Sequence, residues 1–263
     1  MNLLTDKKWN LFEEFLSDYS SLFDIDKNKS KELLKSGELF TRLTDFWYEN
    51  LHQNDLNSAY KVYDDEYYFV DIFNCYVTYS REYIKRILKS KAYDDLKSIE
   101  SYVDIGCGLS YSTCALKQIF PNAKAYAINI KDTKQWKFCE MMSKRYNFTL
   151  IESVDDIKHD VDLVFASEYF EHIVDPCAHF DDIVRSIKPE WFLIANAFNT
   201  HSIGHYETYD HNAEKIDQSK IGNIFNKHIR SSGYKDINYS LWNQKPKVWK
   251  KNETKPTLMS FIE

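Results

Sequence analysis

The sequence predicts an α/β protein: a mostly parallel sheet closed by an antiparallel hairpin, with helices on both faces and a helical extension ahead of it. Three observations predict this. Over the first third, apolar residues recur at three- and four-residue spacing. From about residue 98, short apolar runs alternate with helical ones. Glycine is scarce, six in 263 residues, yet Gly106 and Gly108 stand two apart directly after the first apolar run.

Residues 1–95 read as the extension, with helical spacing in Leu11, Phe12, Phe15, Leu16 and again in Leu33, Leu34, Phe40, Leu43. Within it, the aromatic-rich stretch Tyr60 to Tyr76 fits no clean period. Two readings stand for it: packing against the main domain, or a lid over a substrate pocket. Residues 96–263 read as the main domain. Its strands are expected at Tyr102–Ile105, Ala125–Asn129, Thr149–Glu152, Asp162–Ala166 and Phe192–Ala197. Helices are expected at Ser112–Ile119, Thr133–Tyr146, Cys177–Ile187 and, after a loop, Asp217–Ser231. Gly233 to Trp242 and Lys247 to Lys250 then look like two strands around a turn at Asn243 to Pro246.

Composition narrows the function. The 43% hydrophobic and 28% charged fractions are those of a globular protein, and no apolar run is long enough for a bilayer. The N-terminus lacks the layout of a secretory signal, so a cytoplasmic protein without a membrane partner is expected. Five widely spaced cysteines with no CxxC pair argue against both a disulfide framework and a zinc site. A net charge of -6 removes the simplest argument for a nucleic-acid partner, although a local basic patch stays open.

A strand that turns sharply into a helix, with its backbone close to a ligand, needs residues without a Cβ at the turn. Gly106 and Gly108 meet that need. A dinucleotide pattern would require glycine where Tyr111 stands, and no Gly-Lys-Ser/Thr follows to make a P-loop. Asp104, just before the turn, suits a ligand with a cationic group better than a pyrophosphate, which points to an amino-acid moiety.

The run Val103-Asp-Ile-Gly-Cys-Gly-Leu-Ser110 resembles the first motif of the class I S-adenosylmethionine-dependent methyltransferases. Asp162-Leu-Val-Phe-Ala-Ser-Glu-Tyr-Phe-Glu-His-Ile-Val-Asp-Pro176 is similar to that family's fourth-strand segment. Ile187 to Asn196 resembles its fifth strand, with Glu190-Trp191 in place of the usual Gly-Gly. The resemblance covers roughly residues 98–250. It implies a Rossmann-like methyltransferase sheet, with S-adenosylmethionine as cofactor and S-adenosylhomocysteine as product. It also implies cofactor contacts from Asp104, Gly106, Cys107, Gly108, Asn129, Ile130, Ser153, Val154, Ser167 and Glu168. At Asn129 family members usually carry the acidic residue that binds both ribose hydroxyls; an amide lacks the charge-assisted strength of a carboxylate.

The methyl of a sulfonium is already activated, so the enzyme mainly aligns a nucleophile and excludes water. His172 is the base candidate by analogy, with a structural histidine as the alternative. His205 and Tyr206 follow in Asn199 to His211, a loop at the carboxyl end of the fifth strand, where such sheets place substrate residues. Three histidines there raise a metal, but no H-E-x-x-H helix or cysteine set accompanies them, so none is expected. Cys177 comes too late to be the Pro-Cys nucleophile of DNA cytosine methylation. The acceptor expected is a small or nucleotide-like molecule. A nucleic-acid or protein methyltransferase and a catalytically silent ligand-binding protein are the alternatives, and the oligomeric state is left open.

Overall fold

The computed structural model describes residues 2–53, 55–241 and 245–252. The extension consists of α1 (Lys8–Leu22), α2 (Lys27–Ser36), α3 (Glu38–His52), α4 (Leu56–Ala59), α5 (Tyr68–Cys75), α6 (Arg81–Leu88) and α7 (Lys91–Leu96). The apolar stripe of α1 is buried at Leu11, Phe12, Phe15, Leu16 and Tyr19. Helix α2 starts where the Asp26 carboxylate accepts the N–H groups of Asn28 and Lys29, and it stops at Gly37, whose φ is 74°. The aromatic stretch has no clean period for a structural reason. It holds a 3₁₀ turn (Tyr60–Asp64), then α5, then a π-helical turn (Tyr76–Ser80), and only α5 keeps 3.6 residues per turn.

The second part runs β1 (Ser101–Ile105), α8 (Tyr111–Ile119), β2 (Lys124–Ile128), α9 (Lys134–Tyr146), β3 (Thr149–Ile151), β4 (Leu163–Ser167), α10 (Pro176–Ile187) and β5 (Trp191–Ala195). It continues with β6 (Thr208–His211), β7 (Glu214–Asp217), α11 (Gln218–Ser231), β8 (Tyr234–Ile237) and β9 (Lys247–Lys251). The main sheet has the order β3-β2-β1-β4-β5-β9-β8. The first five strands are parallel, and β9 and β8 close it antiparallel. The chain crosses from one half of the sheet to the other between β1 and β4, so the carboxyl ends of these strands open a crevice where ligands bind in such sheets. Asp162 precedes β4 and ties it to β1, accepting the N–H groups of Glu100 at 2.6 Å and Ser101 at 2.9 Å.

The structure departs from the expectations in one place. The segment read as a loop running to His211 ends in a two-stranded hairpin, β6 against β7. Its turn residues Asn212 and Ala213 both take positive φ, 51° and 63°, but the pair lacks the glycine that usually marks such a turn. In the closing hairpin, Trp242, Asn243 and Gln244 lie outside the described residues, as does Lys255 of the tail.

One apolar core runs from the extension into the sheet domain. Phe15 of α1 packs edge-on against Tyr111 of α8, with ring centroids 5.9 Å apart, and against Phe138 of α9 at 5.5 Å. The extension is thereby fixed above the carboxyl end of the sheet. Among the described residues no helix is long and apolar enough to cross a membrane.

Candidate functional site

A cavity of about 1040 Å³ lies at the carboxyl ends of β1, β2 and β4, roofed by α5 and the π-helical turn of the extension. Its floor is the turn after β1, where Gly106 and Gly108 have φ of 71° and 55°. A Cβ on Gly106 would run into the Tyr169 ring, so glycine is required there for conformation and space alike. Asn129 lines the same floor. Its Nδ2 donates to the Gly108 carbonyl at 2.7 Å, and its Oδ1 accepts the Ile130 N–H at 2.8 Å. A carboxylate could accept from Ile130 but could not donate to Gly108. The amide therefore ties the glycine turn to the end of β2, and this bond depends on its being Asn.

At the rim, Ile130 is 68% exposed and faces the cavity. Beside it the Lys131 ammonium pairs with Glu152 at 2.6 Å, and both line the cavity. After β4, Glu168 takes a φ of 52° and lines the cavity with Ser167; Ser167 Oγ and Glu168 Oε1 are buried without partners. Burial pushes the Glu168 carboxyl up, while nearby Lys245 pulls it down. Glu171, fully buried, accepts the Ala197 N–H at 2.7 Å; burial and the Glu168 charge hold its carboxyl well above the ordinary range. Against this wall, burial lowers His172 to about 3 and His205 to about 4, so both rings are neutral near pH 7.

A methyltransferase domain family model matches residues 103–195, the span from the glycine turn to the end of β5. Over that span, about a third of the chain, the sequence matches a methyltransferase domain. No curated protein sequence matches it. Among solved structures it is similar to the mitomycin 7-O-methyltransferase MmcR, at 9% identity and a TM-score of 0.53, over 84% of this chain and 70% of that one. It is also similar to human N-acetylserotonin methyltransferase in complex with SAM, at 12% identity and a TM-score of 0.47, over 71% of this chain and 55% of that one. At these identities the likeness concerns the fold.

The cavity brings together Gly106, Cys107, Gly108, Asn129, Ile130, Ser167, Glu168, His172 and His205 of the residues singled out in the sequence. Asp104 is placed elsewhere. It is 2% exposed and turned into the helix start, where Ser112 Oγ and Thr113 Oγ1 donate to it at 2.6 and 2.7 Å. Burial pushes its carboxyl up to about 6. Ser153 and Val154 also lie off the cavity. Ser153 caps the short 3₁₀ turn Val154–Asp156, exchanging side-chain bonds with Asp156, and Glu152, one residue earlier, faces the cavity. Tyr206 packs edge-on against Trp47 and shares a 2.7 Å hydroxyl contact with Tyr60, joining the extension to the domain. The Trp47 indole N–H donates to the His205 carbonyl at 2.7 Å and fastens the same junction. His201 stacks on Tyr48, and Cys177 is buried in α10.

Of the aromatic stretch read either as packing or as a lid, Tyr63, Tyr68, Asp71 and Cys75 line the cavity, and Tyr79 joins them from just beyond it; the sequence did not single out these side chains. Burial raises the Asp71 carboxyl to about 6 and holds the Tyr68 phenol well above its usual range. Nothing in their spacing sets these side chains apart from core aromatics. Among the described residues no group of three or more His, Cys, Asp or Glu is gathered as for a metal ion.

Proposed function

We propose that the protein transfers the methyl group of S-adenosylmethionine to a small-molecule acceptor held between the glycine turn and the tyrosine-lined roof. The observation that carries this reading is the single cavity of about 1040 Å³ that joins the two, at the top of the range for one drug-sized ligand and so roomy enough for a cofactor with a small acceptor.

The residues present fit the cofactor. The glycine turn offers backbone polar groups at close approach for the methionine part. Ile130 gives an exposed apolar face for the base, and Glu152 stands where it can accept hydrogen bonds from the nucleoside. Asn129 holds the turn's shape instead of the ribose. When bound, S-adenosylmethionine supplies an activated methyl group; the chain's own residues bind, orient and dry the acceptor. The extension acts as a roof built into the core, which excludes water from the transfer.

Proton removal from the acceptor falls to Glu168 more readily than to His172. A general base works best with a pKa near the working pH. His172 at about 3 is a weak base, whereas burial raises the Glu168 carboxyl above its ordinary value and one of its buried oxygens has no partner. With the acceptor held in the cavity, Glu168 would take the proton that the acceptor gives up on methylation.

The test is incubation with methyl-labelled S-adenosylmethionine and a panel of small hydroxyl and amine acceptors, reading labelled product and released S-adenosylhomocysteine. Label is expected in a small acceptor, with turnover falling about a hundredfold in E168Q and less than tenfold in H172F. Label entering only protein or nucleic acid would refute the small-molecule reading.

A further inference from the structure

A second cavity of about 440 Å³ lies on the other side of the β5 end, between β5, β9 and the first half of α11. It shares Ala197, Thr200 and Lys245 with the large cavity, so the two adjoin. Their charges differ. The large cavity mixes Asp71, Glu152 and Glu168 with Lys131 and Lys245, whereas the described lining of the small one holds Lys245 and Lys247 and no Asp or Glu.

Trp249 packs into the wall of the small cavity with 0% exposure and no hydrogen-bond partner for its indole Nε1, so its N–H reports on the wall without reaching a ligand in the cavity. Asn199, Asn223 and Asn226 add amide groups to the lining. Lys247 is held over the Trp249 ring at 5.7 Å, and its ammonium donates to Asn226 Oδ1 at 3.3 Å, which leaves further ammonium hydrogens to offer. Asp217, which caps α11, is exposed and outside the lining.

We propose that this second cavity is an oxyanion subsite: it holds a phosphate or carboxylate group on the far end of the methyl acceptor, with Lys245 and Lys247 as its donors. The use by an acceptor rests on the reading of the large cavity as the methyl-transfer site; the binding of an anion does not.

Two measurements test it. In the first, inorganic phosphate and acetate are titrated separately into the full chain while the indole ¹⁵N–¹H resonance of Trp249, assigned with W249F, is followed. A saturable shift is expected with one ion or both, and which one shifts it identifies phosphate or carboxylate as the chemistry held. K247Q is expected to weaken that binding about tenfold. No saturable shift with either ion, or a shift unchanged in K247Q, would overturn the subsite. In the second, acceptors carrying a phosphate or carboxylate are compared with uncharged counterparts in the labelled-methyl assay. Charged acceptors are expected to react at least tenfold faster and to lose that advantage in K247Q; equal rates would overturn the subsite's role in acceptor choice. Calorimetry of S-adenosylhomocysteine on the same samples separates the two claims: binding of the nucleoside without the anion refutes the subsite alone, and binding of the anion without the nucleoside refutes the methyl-transfer reading.

Discussion

The two walls of the large cavity are built by different means. The sheet wall is made by backbone, in turns where Gly106, Gly108 and Glu168 take positive φ, with Asn129 tying the glycine turn to β2. The extension wall is made by side chains, chiefly Tyr63, Tyr68 and Tyr79 with Asp71, on ordinary helical turns and one π-helical turn. The first kind of wall tolerates few residue types and is shaped for one ligand. The second can change its side chains without changing its path. A fixed cofactor beneath a variable acceptor is the division of labour this construction suits.

Substitutions can break that contrast, and the largest effect is expected in the sheet wall. G106A puts a Cβ into the Tyr169 ring at a φ that L residues rarely adopt, and affinity for S-adenosylhomocysteine, measured by calorimetry, is expected to fall at least a thousandfold.

Asp104 comes next, as the part of the first motif turned away from the cavity. Its carboxyl is pushed from the ordinary 3.8 up to about 6, so its contribution to stability is fully present below pH 3.8 and lost as pH rises through 6. D104N removes this titration and can still accept from Ser112 and Thr113. Wild-type stability minus that of D104N, from urea unfolding, is expected to drop by about 2 kcal/mol between pH 4 and pH 7. The subtraction cancels the histidines, whose lowered values act the other way: their contribution is full above pH 6.5 and fades as pH falls toward 3. The same variant is expected to bind S-adenosylhomocysteine within threefold of wild type.

W47F keeps the ring but loses the N–H bond to the His205 carbonyl. A cost of about 1 to 2 kcal/mol in unfolding free energy is expected, with acceptor kcat/KM falling about tenfold and cofactor affinity unchanged, since the junction holds the roof and not the floor. Y79F sharpens the contrast further: acceptor KM is expected to change severalfold while the cofactor dissociation constant stays put. The smallest effect is expected for S153A, below twofold on cofactor binding, against a tenfold loss for E152Q.

These contrasts also explain what was legible in the sequence. The parallel sheet, the glycine turn and the segment after β4 could be read because sharp turns at strand ends restrict residue type, and six glycines in the chain made Gly106 and Gly108 conspicuous. Asp104 was read for its charge when its direction mattered more; the hydroxyl pair Ser112-Thr113 at the start of the next helix was the available sign that it had internal partners. Ser153 and Val154 miss the cavity because the chain leaves β3 at Ile151 and turns into the short 3₁₀ turn Val154–Asp156, which Ser153 caps. The aromatic stretch of the roof was visible but open to two readings, since an aromatic lining a cavity and one filling a core have the same helical spacing. The hairpin of β6 and β7 was hidden by an Asn-Ala turn without glycine.

The central claim is that the backbone-built wall holds S-adenosylmethionine. Calorimetric titration of S-adenosylhomocysteine into the wild-type chain, with G106A and S153A alongside, tests it most directly. The account expects one site per chain in wild type and S153A, and none measurable in G106A. A folded wild-type protein that binds no S-adenosylhomocysteine, or a G106A variant that binds it as well as wild type, would contradict it.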